Sequence, residues 1–419
     1  MIQSSNSHST EEQFATKVVE TLHKAGFVGY FAGGCVRDRL LGIEPKDFDV
    51  ATSALPEEVR EIFGHRRTLA IGASFGVITV LGPKPLQVEV ATFRTDGQYT
   101  DGRHPNDVAF STAEEDAARR DFTINGMFFD PLENKVIDFV SGQSDLELKL
   151  IRAIGAPLER IEEDRLRMLR AVRFAATYDF EIASTTLAAV QSQATHLGAV
   201  SQERITAELQ RMIEHSNRSR ALYLLRESRL LSQVIAPLAD VAESEPDRWQ
   251  RLLRILKSPA ITGFVPAMAA MLGLEGAALS GEHLGALCRR TKLSNEQRNS
   301  LLWVTANRSQ LELASQLKYS ELQSLLIHPD IEHALSLMRA VADVDGSSLE
   351  AIEHCQQLLS QPAEELDPPV LLRGNDLMAE GMQPGPQFAK LLNALRVAQL
   401  DGFVSTRAEA IAFVKRECK

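Results

Sequence analysis

The stretch FAGGCVRDRLLGIEPKDFDV, residues 31–50, holds a double glycine, an arginine three residues on, and two aspartates flanking a phenylalanine. In an extended strand Asp47 and Asp49 project from one face while Phe48 and Val50 point to the other. Two carboxylates that close repel each other unless a cation lies between them. Mg²⁺ suits the place, because it takes oxygen ligands, is commonly held by one or two carboxylates plus phosphates, and keeps water in the rest of its shell. Gly33 and Gly34 lack a Cβ, so backbone amides can approach a phosphate chain closely, and Arg37 adds charge-assisted donors. The plain alternative, an Asp-x-Asp in a polar turn, accounts for neither the apolar flanks nor the spacing. The combination describes metal-assisted nucleotidyl transfer.

Working outward, EDRLRMLRAVRF at residues 163–174 has helical period: Leu166, Leu169, Ala171 and Val172 can face a core, while Asp164, Arg167, Arg170 and Arg173 recur every three residues. On a helix Asp164 and Arg167 are neighbours. A carboxylate only accepts hydrogen bonds and a guanidinium only donates them. The pair therefore matches a base edge with an amino group beside a ring nitrogen, which cytosine and adenine offer. Uracil and guanine present the reverse and would leave buried groups unpaired, at about 1–3 kcal/mol each. Arg170 and Arg173, further round, are placed for phosphates or the base plane. A solvated Asp–Arg pair on an amphipathic helix is the alternative and is worth little; the carboxylates upstream favour function.

GGCVRDRLLG, KDFDVATSALPEEV, FRTDGQYTDGRHP, ARRDFTINGMFFDP and EDRLRMLRAVRF resemble, in order and spacing, the head and neck motifs of bacterial class II tRNA nucleotidyltransferases, the family of CCA-adding enzymes and poly(A) polymerases. The likeness is dense over residues 26–180 and resumes over 371–402. It implies an α+β fold: a polymerase-beta-like α/β head with a mixed sheet at 1–144, then an all-α neck for base recognition at 145–225, a body at 226–345 and a tail at 346–419, both for RNA. It further implies that Asp47 and Asp49 hold the catalytic Mg²⁺, that Gly34, Arg37 and Arg120 contact the nucleotide, and that Asp164 and Arg167 read the base with Arg170 and Arg173 in support. The implied reaction adds C, C and A to a tRNA 3′ end from CTP and ATP, releasing pyrophosphate, with the tRNA acceptor arm as partner.

Glu89, in the alternating strand LQVEVATF at 86–93, is a candidate third carboxylate if Val88 and Val90 face the opposite layer; a solvent-facing glutamate is the alternative. Asp121 either orients the site or caps the turn that follows. Residues 94–107 are dense in turn formers. By resemblance they form the flexible loop that lets a full CCA-adding enzyme switch from C to A, with Arg103 its first candidate, and their completeness counts against a CC-only enzyme. An enzyme adding only the final A fits the same pocket. A poly(A) polymerase fits less well, since AIGASFGV at 70–77 stands where those enzymes carry a basic-aromatic segment. A non-catalytic RNA-binding protein would have no use for the Asp47–Asp49 pair, and a small-molecule nucleotidyltransferase none for an Arg-rich helical half.

At 419 residues, 44% hydrophobic and 24% charged, the chain is long enough for several cores. A net charge of −11 argues against nucleic acid in sum. Arginines concentrated over 152–229, among them Arg204, Arg211, Arg218 and Arg220, restore it as a local basic stripe. Four scattered cysteines and ten histidines without HExxH argue against disulfides and zinc. Residues 1–9 lack a targeting pattern, and the apolar run 261–279 is broken by Pro266 and Glu275, which predicts a buried helix pair in a cytoplasmic monomer. Thr10 to Gln13 reads as a capping box. Strands are predicted near 28–32, 48–50, 77–81, 86–93, 127–130 and 136–139, helices near 35–41 and 56–63, and helix alone beyond residue 145.

Overall fold

The first helix, α1 (Thr10–Lys24), buries Phe14, Val18 and Leu22 and is capped by Ser9, whose side chain accepts the Glu12 N–H at 3.1 Å. The cap is thus one residue earlier than the expected Thr10, which becomes the first helical residue. The computed structural model describes residues 9–96, 108–273, 292–380 and 385–417.

Seven strands follow in one sheet: β1 (Gly29–Ala32), β2 (Asp49–Thr52), β3 (Thr68–Gly72), β4 (Val77–Leu81), β5 (Gln87–Thr92), and, after the two-stranded pair β6 (Arg94–Asp96) and β7 (Val108–Phe110), β8 (Phe128–Asp130) and β9 (Lys135–Ile137). Their order is β3-β4-β5-β2-β1-β8-β9. The β2–β5 pair is parallel and the other neighbours are antiparallel, so the sheet is mixed, as expected. Alternation explains the layers: Ile78, Val80, Val88 and Val90 face the core while Gln87 and Glu89 stay exposed. The strand β3 was not foreseen, and the base of the predicted loop 94–107 is strand, β6 pairing with β7. Arg103 lies outside the described residues.

The helices that frame the site are α2 (Gly34–Leu40), α3 (Pro56–Phe63), α4 (Ala113–Ala118), α5 (Gly142–Glu147), α6 (Pro157–Glu163), α7 (Arg167–Tyr178), α8 (Ser184–Gln193) and α9 (Gln202–Glu214). The expected single helix over 163–174 is broken. Asp164 ends α6 with extended backbone, φ −139° and ψ 101°, and α7 starts at Arg167. Among the described residues beyond 145 the regular structure is helical apart from two-residue strands, Leu150–Ile151 and Glu181–Ile182, paired in parallel, and a single bridge from Ala153 to Phe122.

The chain forms two units, Met1–Met212 with Arg220–Asp240, and Ile213–Ser219 with Val241–Lys419. The second is helical among its described residues. Its helix Phe264–Gly273 is buried from Phe264 to Leu272. Its end is a small core of Leu377, Leu395, Val404, Ala410 and Val414. No helix among the described residues is long and apolar enough to cross a membrane.

Candidate active site

The β1–β2 register pairs Ala32 with Asp49, so Gly33 and Gly34 begin one residue beyond the point where that carboxylate leaves the sheet. Gly33 has φ +72°, a conformation glycine adopts without strain, and a Cβ there would lie 3.1 Å from Arg120 Nη1. Asp47 stands just before β2, outside the expected strand, yet the alternation holds. Phe48 and Val50 are buried, with Phe48 packed edge-on against Phe31 at 5.3 Å, and both aspartates are exposed on the other face. Parallel pairing of Val50 with Val90 puts Glu89 level with Asp49 on that same face.

These three carboxylates line a cavity of about 360 Å³ with Glu11, Lys46 and Gln87. Although the Asp49 side chain keeps access to solvent, desolvation by the protein packed around it, then the charge of Glu89, push its carboxyl up to about 6; Arg120 pulls the other way, and Asp47 adds to the rise. Among the described residues no three or more His, Cys, Asp or Glu side chains are arranged to enclose a metal ion. The donor set is instead a hard-oxygen pair with a further carboxylate nearby, which fits an ion that completes its shell with phosphate and water.

A second cavity, about 480 Å³, is lined by Gly33, Gly34, Asn125, Phe174, six arginines (Arg37, Arg94, Arg119, Arg120, Arg167 and Arg170) and two aspartates, Asp121 and Asp164. That excess of positive charge suits a polyanion. Arg120 belongs to this wall and also acts on Asp49, so it joins the two cavities electrostatically.

Partners both near and far in sequence aim the arginines. Asp116, 2% exposed, accepts Arg119 Nε and Nη2 at 2.9 and 2.7 Å and Arg120 Nε and Nη2 at 3.1 and 3.0 Å. Burial opposes its charge, but the Arg120 and Arg119 guanidiniums prevail and hold its carboxyl below the ordinary range. Arg37 is pinned by Asp38 at 2.9 Å and Asn125 at 2.5 Å, with its guanidinium over the Tyr178 ring. Arg167 donates to Glu163 at 2.8 Å and to the carbonyls of Arg160 and Arg119 at 2.9 and 3.2 Å. The Asp164 carboxylate accepts the Leu166 N–H at 3.0 Å and Arg204 Nη2 at 2.9 Å. It and Arg167 meet through a break between helices, not as neighbours on one.

Arg173 is the exception. Its Nε donates to buried Glu208 at 2.5 Å, and it is not part of the cavity wall. Asp121 is no cap for the turn Thr123–Asn125, whose capping residue is Phe122; its oxygens take Asn125, the Phe122 N–H and Arg170. Several arginines of the expected basic stripe are engaged internally. Arg220 pairs with Asp179 and Glu181, Arg211 with Glu208, and buried Arg218 donates to the carbonyls of Ile213 and Ile261. Asp116, Asn125, Glu163 and Arg119 were not foreseen, and Arg204, expected in the basic stripe, instead holds Asp164. The motif ARRD that flagged Arg120 could have flagged Arg119 beside it.

Two families match the chain: "Poly A polymerase head domain" over residues 29–152, and "Probable RNA and SrmB- binding site of polymerase A" over residues 179–242. A CCA-adding enzyme of Levilactobacillus brevis is 33% identical over 411 residues, 96% of this chain and 98% of the relative. One of Streptococcus sanguinis is 33% identical over 408 residues, 96% of each. The crystal structure of the Bacillus stearothermophilus CCA-adding enzyme in complex with CTP is 28% identical, covers 98% of each chain and has a TM-score of 0.78. The chain belongs to the CCA-adding enzyme family of nucleotidyltransferases.

Proposed function

We propose that this protein adds C, C and A to tRNA 3′ ends from CTP and ATP in the cytoplasm, without a nucleic acid template, and that Asp47 and Asp49 hold Mg²⁺ for the reaction. The carrying observation is the Ala32–Asp49 pairing, which sets the glycine turn, Arg120 and the carboxylates around one place. When bound, Mg²⁺ would neutralise phosphate charge and favour ionisation of the RNA 3′-hydroxyl. Glu89, on the same face, orients the attacking end or a second ion. Gly34 offers its backbone to the triphosphate, with Arg37, Arg120 and Arg170 spreading positive charge along it. Asp164 accepts from the base amino group and Arg167 donates to the ring nitrogen; that pattern admits C and A and leaves U and G with unpaired groups. Arg173 acts from behind, by bracing α7 through Glu208. The head near residues 1–144 thus carries chemistry, the neck to 225 base choice, and the body and tail grip the acceptor arm, with the residues around Arg103 serving the switch from C to A.

The test supplies purified protein with Mg²⁺, single nucleoside triphosphates, and tRNA transcripts ending at the discriminator base, at C and at CC, with products resolved to one nucleotide. Two C additions followed by one A are expected. A alone on the CC transcript would identify an A-adding enzyme, and a long A tail a polymerase.

A further inference from the structure

We propose that Arg204 is the positioning residue for base choice, acting by fixing the Asp164 carboxylate from behind; the proposal rests on Asp164 being the group that reads the base amino group. Asp164 lies in the break between α6 and α7, so no helix around it holds its side chain in place. Two donors do: the Leu166 N–H on Oδ1 at 3.0 Å and Arg204 Nη2 on Oδ2 at 2.9 Å. The first is local backbone. The second comes from α9, 40 residues away, and Arg204 forms no part of the cavity wall, so it works through Asp164 alone.

The pair is half-buried, with side chains 23% and 17% exposed. One turn along α9, Glu208 grips Arg173 of α7 at 2.5 Å. Residues four apart share a helix face, so one face of α9 braces both the break and the helix after it. Each carboxylate oxygen accepts from two directions. With one protein donor apiece, both Asp164 oxygens keep an acceptor direction for a base.

Rejection of U and G depends on leaving that acceptor unpaired in a dry place. A carboxylate free to turn toward water escapes the penalty, and the wrong base is then tolerated. Arg204 removes that freedom.

The experiment measures kcat/KM for CTP, ATP, UTP and GTP on tRNA transcripts with the full-length protein and its variants Arg204→Ala, Arg204→Gln, Arg204→Lys, Asp164→Ala and Asp164→Ala/Arg204→Ala, with melting curves alongside. Arg204→Ala and Arg204→Gln are expected to raise use of UTP and GTP relative to CTP by about tenfold, Arg204→Lys to restore most of the discrimination, and the double variant to add nothing to Asp164→Ala. Should Arg204→Ala melt below the assay temperature, Arg204→Gln, which keeps the stem and a neutral donor, decides. Equal losses with all four nucleotides, or unchanged discrimination while Asp164→Ala relaxes it, would overturn the role of Arg204 and leave the base-reading role of Asp164 standing. Unchanged discrimination in Asp164→Ala would overturn both.

Discussion

Arg170 reaches the same oxygen of Asp121 twice, Nε at 2.8 Å and Nη2 at 2.6 Å, across 49 residues of sequence. The other oxygen of Asp121 accepts Asn125 Nδ2 at 3.0 Å, and Asn125 Oδ1 accepts Arg37 Nη1 at 2.5 Å. A continuous polar chain therefore ties α7 to α2 along the wall of the second cavity, so that a lining arginine on each helix is set by the same buried carboxylate.

Removing that carboxylate strands Arg170. Asp121→Ala is expected to lose about 3–5 kcal/mol, the cost of breaking a buried charge pair from one side, read by denaturant unfolding. Burial resists the Asp121 charge, but Arg170 and Asn125 outweigh it and hold the carboxyl below its ordinary value. A depressed acid stabilises the fold above its unfolded pKa, near 4, and loses that contribution as pH falls through the lower folded value. Acid unfolding of the variant should accordingly lack this component below about pH 4.

Asp49 carries the opposite sign. Its carboxyl is raised to about 6, so in the metal-free protein its contribution to stability is present at low pH and disappears as pH rises through that value. A divalent ion needs the ionised form. The rise in melting temperature on adding Mg²⁺ is expected to be large at pH 7.5 and small at pH 5; an equal rise at both would detach Asp49 from the metal.

Asp47→Ala should abolish transfer with every nucleotide, because it removes one of the two carboxylates proposed to hold the ion. Asp164→Ala should instead keep transfer measurable while UTP and GTP gain on CTP, by a factor of about ten or more if one buried hydrogen bond is at stake. Single-turnover assays with each triphosphate separate the two outcomes.

Gly33→Ala combines two penalties at one position: a left-handed backbone, φ +72°, and a Cβ only 3.1 Å from Arg120 Nη1. A backbone cost of about 1–3 kcal/mol is expected, since φ +72° with ψ −125° is a region alanine sparsely populates, together with weaker triphosphate binding as Arg120 is displaced. Equilibrium binding of CTP by calorimetry checks it; undiminished affinity would mean that Arg120 does not need its present place.

The strands at 77–81 and 86–93 and the run Asp47–Val50 were legible because buried and more exposed residues alternate there, and the glycine turn was legible from its composition. At β3 the pattern fails, since only Thr68 is buried and Leu69, Ala70 and Ile71 are exposed on an edge strand. The break at Asp164 was hidden for the reverse reason: apolar spacing runs on through it, and only the contacts of Asp164 and Arg167 with α6 and α9 require the chain to turn. Charged residues were the least legible. Whether an arginine faces RNA or a buried acid depends on a partner such as Glu208, 35 residues from Arg173, and spacing within one helix carries no trace of it.

The side-by-side run of β2 and β5 also limits how such a chain can drift over generations. Turns within residues 53–86, which join the two strands, can lengthen or shorten at small entropic cost. One residue inserted inside either strand would rotate its carboxylate to the far side of the sheet and turn the buried valines beside it, Val50 or Val88 and Val90, toward solvent, so the chemistry and the core would be lost together.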